Sequence, residues 1–157
     1  MNSDQVVVFG LDGQRYALRL HEVERVIRAV AVTPVPETSA FILGLINLAG
    51  RLLPVVSLRC GLGLPDRPVR PDDQFVITRT SRLTLALVVD RVEALRPLLI
   101  GQAVTPADVL PGQGCRVQTL LKLDGDIILI YDVEQFFDRA EQERLLAVQA
   151  ADANLAV

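Results

Sequence analysis

The chain has 157 residues, of which 50% are hydrophobic and 22% charged, so it can bury a sizeable core and has no signature of disorder. Its net charge of −3, its pI of about 5.1 and its 4% aromatic content exclude a basic footprint for nucleic acid and oppose a stacking platform for bases. No apolar run reaches transmembrane length, and Cys60 and Cys115 have no paired-ligand spacing. We therefore expect a cytoplasmic protein with free thiols, without direct membrane insertion and without nucleic acid as a partner.

The first half of the chain has the pattern of short strands joined by turns. Apolar stretches at 6–10 and 14–20 flank Asp12-Gly13, which is typical of a tight hairpin turn because glycine tolerates positive φ. The segment from Val23 to Val30 admits one helical face, but its β-branched residues favour a short turn that runs into another strand.

A glycine turn interrupts the apolar segment Phe41–Leu58. The apolar run stops at Asn47-Leu48-Ala49-Gly50 and resumes through Pro54. We interpret this segment as two strands around a tight turn, with Asn47 and Gly50 supplying the backbone freedom that the turn needs. Residues 59–73, rich in Gly, Pro, Arg and Asp, are predicted to form a loop.

Two further hairpins are predicted in the second half. The first turns at Ser81-Arg82, and its second strand, LTLALVV, is apolar enough to be buried. An irregular connection between Pro97 and Gly114 separates it from the second hairpin, which turns at residues 124–126. Asp132 then has the position of a helix N-cap, and the tail is expected to be irregular from about residue 147. One face of this helix is formed by Val133, Phe136, Phe137 and Ala140.

The two halves of the chain resemble each other. The hairpin and Val-x-x-Val element of Val6–Val30 recur at Gln74–Leu98, and the glycine-turn hairpin of Leu43–Leu58 recurs at Leu120–Val133. In the second pair Gly50 corresponds to Gly125, and Pro54–Leu58 aligns with Leu129–Val133. We therefore predict an all-β fold with short helices, in which two small barrels share a boundary and leave no free sheet edges.

A catalytic constellation is not visible in the sequence. The only histidine, His21, excludes a histidine-based metal cluster and is expected to be an exposed polar residue. Asp124-Gly125-Asp126 lacks the spacing of a calcium loop, and no glycine motif precedes a helix within a βαβ unit. We predict no catalytic residue, no metal site and no cofactor. The Val-x-x-Val elements, which place valines beside charged residues, suit an amphipathic helical partner, although the valines can also simply complete the cores.

From about Gln5 to Arg144 the chain resembles CheW-like domains, the coupling modules of bacterial chemosensory arrays. The resemblance depends on several segments in a fixed order, and each of them alone is a weak signal. These segments are Phe9–Leu20, Val23 with Val26, Pro36 with Phe41-Ile42 and Gly44, Asn47-Leu48-x-Gly50, Pro54-Val55-x-x-Leu58, Val88-Val89-Asp90 with Val92, and Ile128–Val133 with Glu134.

This resemblance implies two five-stranded SH3-like barrels around a shared core, interleaved within a single domain over residues 1–157, and a C-terminal helix. It also implies a scaffold that bridges the regulatory domain of a CheA-type histidine kinase to the cytoplasmic helical tip of chemoreceptors. The kinase face is expected on the first barrel near Gly44 and Leu45. The receptor tip is expected in a groove between the barrels, which matches Val23, Arg25, Ala49, Phe75 and Leu95.

Three positions depart from the family pattern, which usually has Glu at Arg25, Arg at Ala49 and Asp at Ser57. Because reversing a charge can reject one partner and admit another, these departures imply a divergent coupling protein of an accessory chemosensory system with altered receptor choice. The alternative is a small β-barrel that binds a ligand or an oligonucleotide, which the acidic pI and the scarcity of aromatic residues oppose.

Overall fold

A computed structural model describes residues 5–35, 41–97, 103–104, 117–123, 125–133 and 142–147. Most of these residues lie in short strands, as the hairpin pattern predicts. The strands are β1 (Gln5–Leu11), β2 (Gln14–Arg19), β3 (Val23–Arg28), β4 (Ile42–Leu48), β5 (Arg51–Ser57), β6 (Gln74–Arg79), β7 (Thr84–Val89), β8 (Arg91–Pro97), β9 (Ala103–Val104), β10 (Val117–Leu123) and β11 (Asp126–Tyr131). A 3-10 turn covers Leu20–Glu22, helix α1 covers Leu58–Leu62, and residues 142–147 are helical.

The strands form two small barrels, which confirms the predicted all-β fold with short helices. One sheet has the order β8-β1-β2-β11-β10-β9 and is called the β1 barrel; the other has the order β3-β6-β7-β5-β4 and is called the β6 barrel. An antiparallel bridge between Thr33, which follows β3, and Leu45 of β4 closes the β6 barrel. In the β1 barrel, the two-residue strand β9 follows β8 in the chain and pairs with β10, and this pairing corresponds to the Thr33–Leu45 bridge of the β6 barrel.

The halves interleave because each gives its third strand to the other's sheet. After the β1–β2 hairpin the chain crosses to the β6 barrel, where β3 pairs with β6; after the β6–β7 hairpin it crosses back, where β8 pairs with β1. The side chain of Gln74 accepts a 2.6 Å hydrogen bond from the Val92 backbone N–H beside the second crossing. Neither half of the chain therefore contains all the strands of a barrel.

The strand register confirms the predicted internal repeat. Ala17 on β2 lies opposite Val8 and beside Ile130, while Ala86 on β7 lies opposite Ile77 and beside Val55. Ala17 and Ala86 are therefore equivalent, which makes Val55 equivalent to Ile130, as the sequence alignment of the two hairpins predicts.

The side chains divide into three cores because successive residues of a strand point to opposite faces of its sheet. A shared core between the two sheets contains Phe9, Val76 and Tyr131, together with Leu145 of the C-terminal helical segment. The core of the β1 barrel consists of Val6, Val8, Ala17, Leu121, Ile128 and Ile130. The core of the β6 barrel consists of Ile46, Leu53, Val55, Phe75, Ile77 and Ala86.

The β4–β5 turn has a different chemistry from the one predicted. The left-handed residues are Ala49 and Gly50, with φ of 53° and 85°, whereas Asn47 belongs to β4. The Oδ1 atom of Asn47 accepts a 2.8 Å hydrogen bond from the Gly50 N–H, so its role is to hold the turn and not to supply backbone freedom. Gly125 occupies the equivalent turn with a φ of 78°.

Several sequence predictions lie partly or wholly outside the described residues. They concern Cys115, the side chain of Cys60, the Phe136–Phe137 face, the tail beyond residue 147 and most of the predicted irregular connection between Pro97 and Gly114. Within residues 59–73, α1 replaces the first part of the predicted loop. The segment at Val23 is a turn followed by a strand, as we predicted.

Candidate interaction surface

Four apolar residues on the two exchanged strands face the boundary between the barrels. Val23 and Val26 on β3 lie opposite Thr78 and Val76, and both pack against the shared core. Val92 on β8 lies opposite Phe9 and also packs there, while Leu95 lies opposite Val7 and is 55% exposed. Because Val26 and Leu95 occupy equivalent positions, the boundary presents a similar apolar residue from each barrel.

Arg25 and Phe75 lie on the other side of the β6 sheet. Arg25 is opposite Ile77, and Phe75 is opposite Ile27; both Phe75 and Ile77 belong to the core of the β6 barrel. Arg25 is exposed, but Phe75 is fully buried, with 0% of its surface exposed. The structure therefore separates Arg25 and Phe75 from Val23 and Leu95, and it leaves Phe75 without a surface that a partner can touch.

Glu24 connects β3 to the β4–β5 turn. It is the extra residue of a β-bulge between the Val23–Thr78 and Arg25–Ile77 pairs, so its side chain leaves the regular alternation of the strand. Its carboxylate accepts hydrogen bonds from Arg51, at 2.8 Å from Nη1 and 3.4 Å from Nη2. Since Arg51 directly follows Ala49-Gly50, this ion pair brings the turn with its exposed Ala49 next to the Arg25 segment.

The electrostatic surroundings of Glu24 are basic. The hydrogen bond from Arg51 lowers the pKa of the Glu24 carboxyl below its usual value, partial burial acts in the opposite direction, and the charges of Arg51, Arg79 and Arg25 lower it further. Within the described part of the chain, neither Arg25 nor Arg79 has a salt bridge. This surface therefore carries more positive than negative charge.

Gly44 and Leu45, the expected kinase-facing residues, lie where the β6 barrel closes. The backbone N–H and C=O of Leu45 exchange 2.9 Å hydrogen bonds with Thr33, and Leu45 is 5% exposed. Gly44 has a φ of 149°, and a Cβ atom there would lie 2.2 Å from the Thr33 carbonyl oxygen. Both residues thus have a structural role in β4, which belongs to the β6 barrel together with the first-half strands β3 and β5.

A network of ions at the second crossing was not foreseen from the sequence. Asp90 Oδ1 accepts hydrogen bonds from Arg59 at 2.7 Å and from Arg67 at 2.6 Å, while its Oδ2 accepts one from the Asp12 N–H at 2.9 Å. Arg59 also binds Asp12, and Arg67 also binds Asp73. The network joins the β1–β2 turn to α1 and to the loop before β6.

The pKa values within this network reflect competition between burial and pairing. Burial acts to raise the pKa of Asp90 and of Asp73, but hydrogen bonds from backbone N–H groups and from the arginines lower both below their usual range. The carboxylates are therefore charged at neutral pH and compensate for the burial of Arg59, whose side chain is 7% exposed.

The first crossing contains a buried acid, Glu22. Its Oε2 atom accepts a 3.0 Å hydrogen bond from the backbone N–H of Val133, where the chain leaves β11. Burial and the neighbouring Asp132 carboxyl raise the pKa of Glu22 to about 7, although the Val133 hydrogen bond and the charge of Arg19 act in the opposite direction. Asp132 is equivalent to Ser57, which is itself buried and donates its backbone N–H to the carbonyl oxygen of Phe41.

Among the described residues, no cluster of three or more His, Cys, Asp or Glu residues is suited to a metal ion. His21 is exposed in the 3-10 turn. Across the ranges that the structure describes, no helix is long and apolar enough to cross a membrane.

Comparisons with known proteins agree on one family. A family model described as the CheW-like domain matches residues 5–141. The chemotaxis protein CheW of Thermotoga maritima is 29% identical over 136 residues, which cover 85% of this chain and 87% of that protein. Protein FrzA of Myxococcus xanthus is 29% identical over 103 residues, which cover 66% of this chain and 61% of that protein.

A solved structure shares the fold. The scaffolding protein TtCheW from Thermoanaerobacter tengcongensis has a TM-score of 0.77 and 29% sequence identity, and the likeness covers 88% of this chain and 90% of that one. The chemotaxis protein CheW of Bacillus subtilis is 22% identical over 148 residues, covering 94% and 95% of the two chains.

Proposed function

The chain belongs to the CheW-like domain family, and we propose from this premise that it is a non-catalytic chemotaxis scaffold that couples a CheA-type histidine kinase to chemoreceptors. The observation that carries the proposal is the match over residues 5–141, which includes both barrels and the exchanged strands. The related solved structure of a scaffolding protein supports the same function. Partners of this kind place the protein in the cytoplasm.

The receptor tip is proposed to contact the exposed members of the predicted groove. Exposed Leu95 and partly buried Val23 offer apolar surface at the barrel boundary. Exposed Arg25, on the other side of the β6 sheet, and the exposed turn at Ala49 offer a second, charged surface. Phe75 contributes indirectly, because it packs opposite Ile27 and supports β3 from within the barrel.

The Glu–Arg pair that the family usually has at positions 25 and 49 has a substitute in this chain. Glu24 and Arg51 connect the same strand to the same turn, one residue earlier on β3 and two residues later on the hairpin. Beside this pair, Arg25 has no salt bridge among the described residues, and Ala49 has only a small side chain. These two differences from the usual family surface support altered receptor choice within an accessory chemosensory system.

Arg25→Glu combined with Ala49→Arg tests this choice. The backbone of Ala49 already has a φ of 53° with a Cβ present, so an arginine there adds little new backbone strain. We expect the double variant to bind a receptor tip of the common family type more tightly than the wild-type chain does, in a titration followed by calorimetry. Equal affinities would contradict altered choice.

The kinase face is proposed near Gly44 and Leu45. Since both residues close the barrel, we propose that the kinase contacts the surface that their strand supports. This surface includes Leu43, which is partly buried and is the extra residue of the β4 bulge between Ile42 and Gly44.

Co-purification with the kinase regulatory domain and with receptor tips of the same organism tests the scaffold as a whole. We expect the chain to bind both partners and to join them in a ternary complex. Failure to bind any kinase would exclude the scaffold. The alternative of a small barrel for a ligand or an oligonucleotide is not favoured, since the family comparisons point to a scaffold.

A further inference from the structure

The surface around Glu24 has an uneven balance of charge. Arg51 is bonded to this carboxylate, Arg25 is the next residue of β3, and Arg79 follows Thr78, which pairs with Val23 on the other side of Glu24. The protein as a whole has a net charge of −3, so a group with three positive charges and one negative charge differs from the average surface. We call the set Arg25, Arg51 and Arg79 the basic patch.

The internal repeat shows that the fold does not require this charge. Glu93 is the bulged residue of β8, between the Phe9–Val92 and Val8–Ala94 pairs, and is equivalent to Glu24. The position equivalent to Arg51 is Asp126, the first residue after the Gly125 turn. Positions equivalent to Arg25 and Arg79 are Ala94 and Gly10.

In the β1 barrel, the site where the bulge meets the glycine turn has the opposite balance of charge. Arg15 bridges the two acids there, at 3.1 Å from Glu93 and 2.8 Å from Asp126. One arginine between two carboxylates gives this site a net negative charge, whereas the equivalent site of the β6 barrel, around Glu24, has a net positive charge. Because both arrangements stabilise the same bulge and turn, the excess of arginine at the basic patch is available for a partner.

The neighbouring residues describe what such a partner must look like. Ala49 is exposed and carries no long side chain, so a partner backbone can approach the turn closely. Leu48 precedes Ala49 in the chain, and Ile27 lies two residues after Arg25 on β3. Both are partly buried and pack on the barrel core, which leaves some apolar surface near the arginines. Opposite charge steers association and fixes register at the rim of an interface.

We propose that the basic patch selects receptor tips that carry carboxylates at the contact with β3 and the β4–β5 turn, and that it rejects tips with lysine or arginine there. The inference rests on the proposed scaffold function and names the chemistry of its receptor.

Arg25→Glu with Arg79→Glu tests the proposal, because it reverses the two arginines of the basic patch that have no salt bridge among the described residues and leaves the Glu24–Arg51 pair intact. Arg28→Glu with Arg70→Glu is the matched control: it makes the same change in net charge at exposed positions near the opposite end of the β3–β6 ladder. The probes are helical-hairpin tips of the organism's own chemoreceptors, each also made with its tip Glu and Asp residues replaced by Lys. Affinity is measured at low and at high salt.

The wild-type chain and the control variant should bind the acidic tips, and the patch variant should bind them roughly tenfold or more weakly, with a smaller dependence on salt. The patch variant should in turn prefer the lysine-substituted tips. The inference fails while the scaffold function stands if tips bind equally well to all three proteins, or if anionic vesicles and not tips bind in a patch-dependent way. If the wild-type chain binds neither tips nor kinase, both the inference and the scaffold function fail.

Discussion

At the scale of single residues, Gly44 shows how closely β4 approaches the Thr33 backbone where the β6 barrel closes. Its φ of 149° and the 2.2 Å approach of a Cβ atom to the Thr33 carbonyl oxygen leave no room for a side chain. The obstacle is backbone, which cannot rotate away as a side chain can. The sequence motif therefore contains this glycine for a packing reason that is independent of any partner.

Gly44→Ala is expected to destabilise the fold by about 2–4 kcal/mol, because it combines an unfavourable φ with a backbone clash. Urea unfolding at neutral pH measures the change. Gly125→Ala is the control, since Gly125 also has positive φ but has nothing within 4 Å of its Cβ position, so it should cost only about 1 kcal/mol. Equal costs would show that Thr33 moves aside.

The protonation of Glu22 is linked to folding. Its pKa is about 7 in the folded protein and near 4.5 in the unfolded chain, so the folded state binds more protons between these values. The carboxyl therefore contributes stability at pH 5 that is lost as the pH rises through 7.

Relative to Glu22→Gln, the wild-type protein should lose about 2 kcal/mol of unfolding free energy between pH 5 and pH 8. The glutamine keeps a carbonyl oxygen for the Val133 N–H but has no charge to bury. Urea unfolding at the two pH values provides the measurement, and Asp72→Asn, at an exposed carboxylate, is the control. Parallel pH profiles for wild type and Glu22→Gln would contradict the assignment.

At the scale of elements, the network around Asp90 holds the segment from α1 to β6 against the β1–β2 turn. Its arginines are largely buried, with side-chain exposures of 7% for Arg59 and 15% for Arg67. Buried charges are costly when one partner is removed, because the remaining ion has lost its water.

Asp90→Asn should therefore destabilise the protein by about 2–4 kcal/mol, as judged by urea unfolding at pH 7. Asp126→Asn removes one acid from the exposed Arg15 pair and should cost less than about 1 kcal/mol. Because pairing lowers the pKa of Asp73 and Asp90, this stabilisation is present above pH 4 and is lost as the pH falls through their folded values. Similar losses in the two variants would show that the network is not the main anchor.

Local patterns predicted the elements well and their long-range partners poorly. Turn dipeptides locate the hairpins at Asp12-Gly13 and Ser81-Arg82, and the internal repeat predicts the equivalence of Val55 and Ile130. The contacts of Asp90 with Arg59 and Arg67 join residues 31 and 23 positions apart through the crossing of a strand. No local periodicity encodes that crossing.

The interaction surface shows the same limit. Resemblance matched Arg25 and Phe75 to one groove, but the two residues lie on the interior side of the β6 sheet, and only Arg25 reaches solvent. The pairing of Glu24 with Arg51 depends on closure of the barrel and on a bulge that displaces Glu24 from the strand alternation. A linear pattern can show charged residues near a turn, but it cannot show which of them meet.

At the scale of the whole molecule, exchange of the third strands makes folding a joint property of both halves. The β1 barrel takes β1 and β2 from the first half and β8, β10 and β11 from the second, and the β6 barrel has the reverse composition. The rings of Tyr16 and Tyr131, which come from opposite halves, lie 5.9 Å apart in the shared core.

Fragments 1–72 and 73–157 should consequently be unfolded when separate and should form one native complex when mixed. Each fragment alone lacks strands from both sheets and exposes the edges that the missing strands would cover. Circular dichroism and amide NMR dispersion report on folding, and tyrosine fluorescence reports on the Tyr16–Tyr131 contact, since the protein has no tryptophan. The intact chain should unfold in a single transition with coincident midpoints by both optical probes. A fragment that gave a dispersed spectrum by itself would mean that one barrel can complete itself without the exchanged strand, and the two barrels would then be separable folding units.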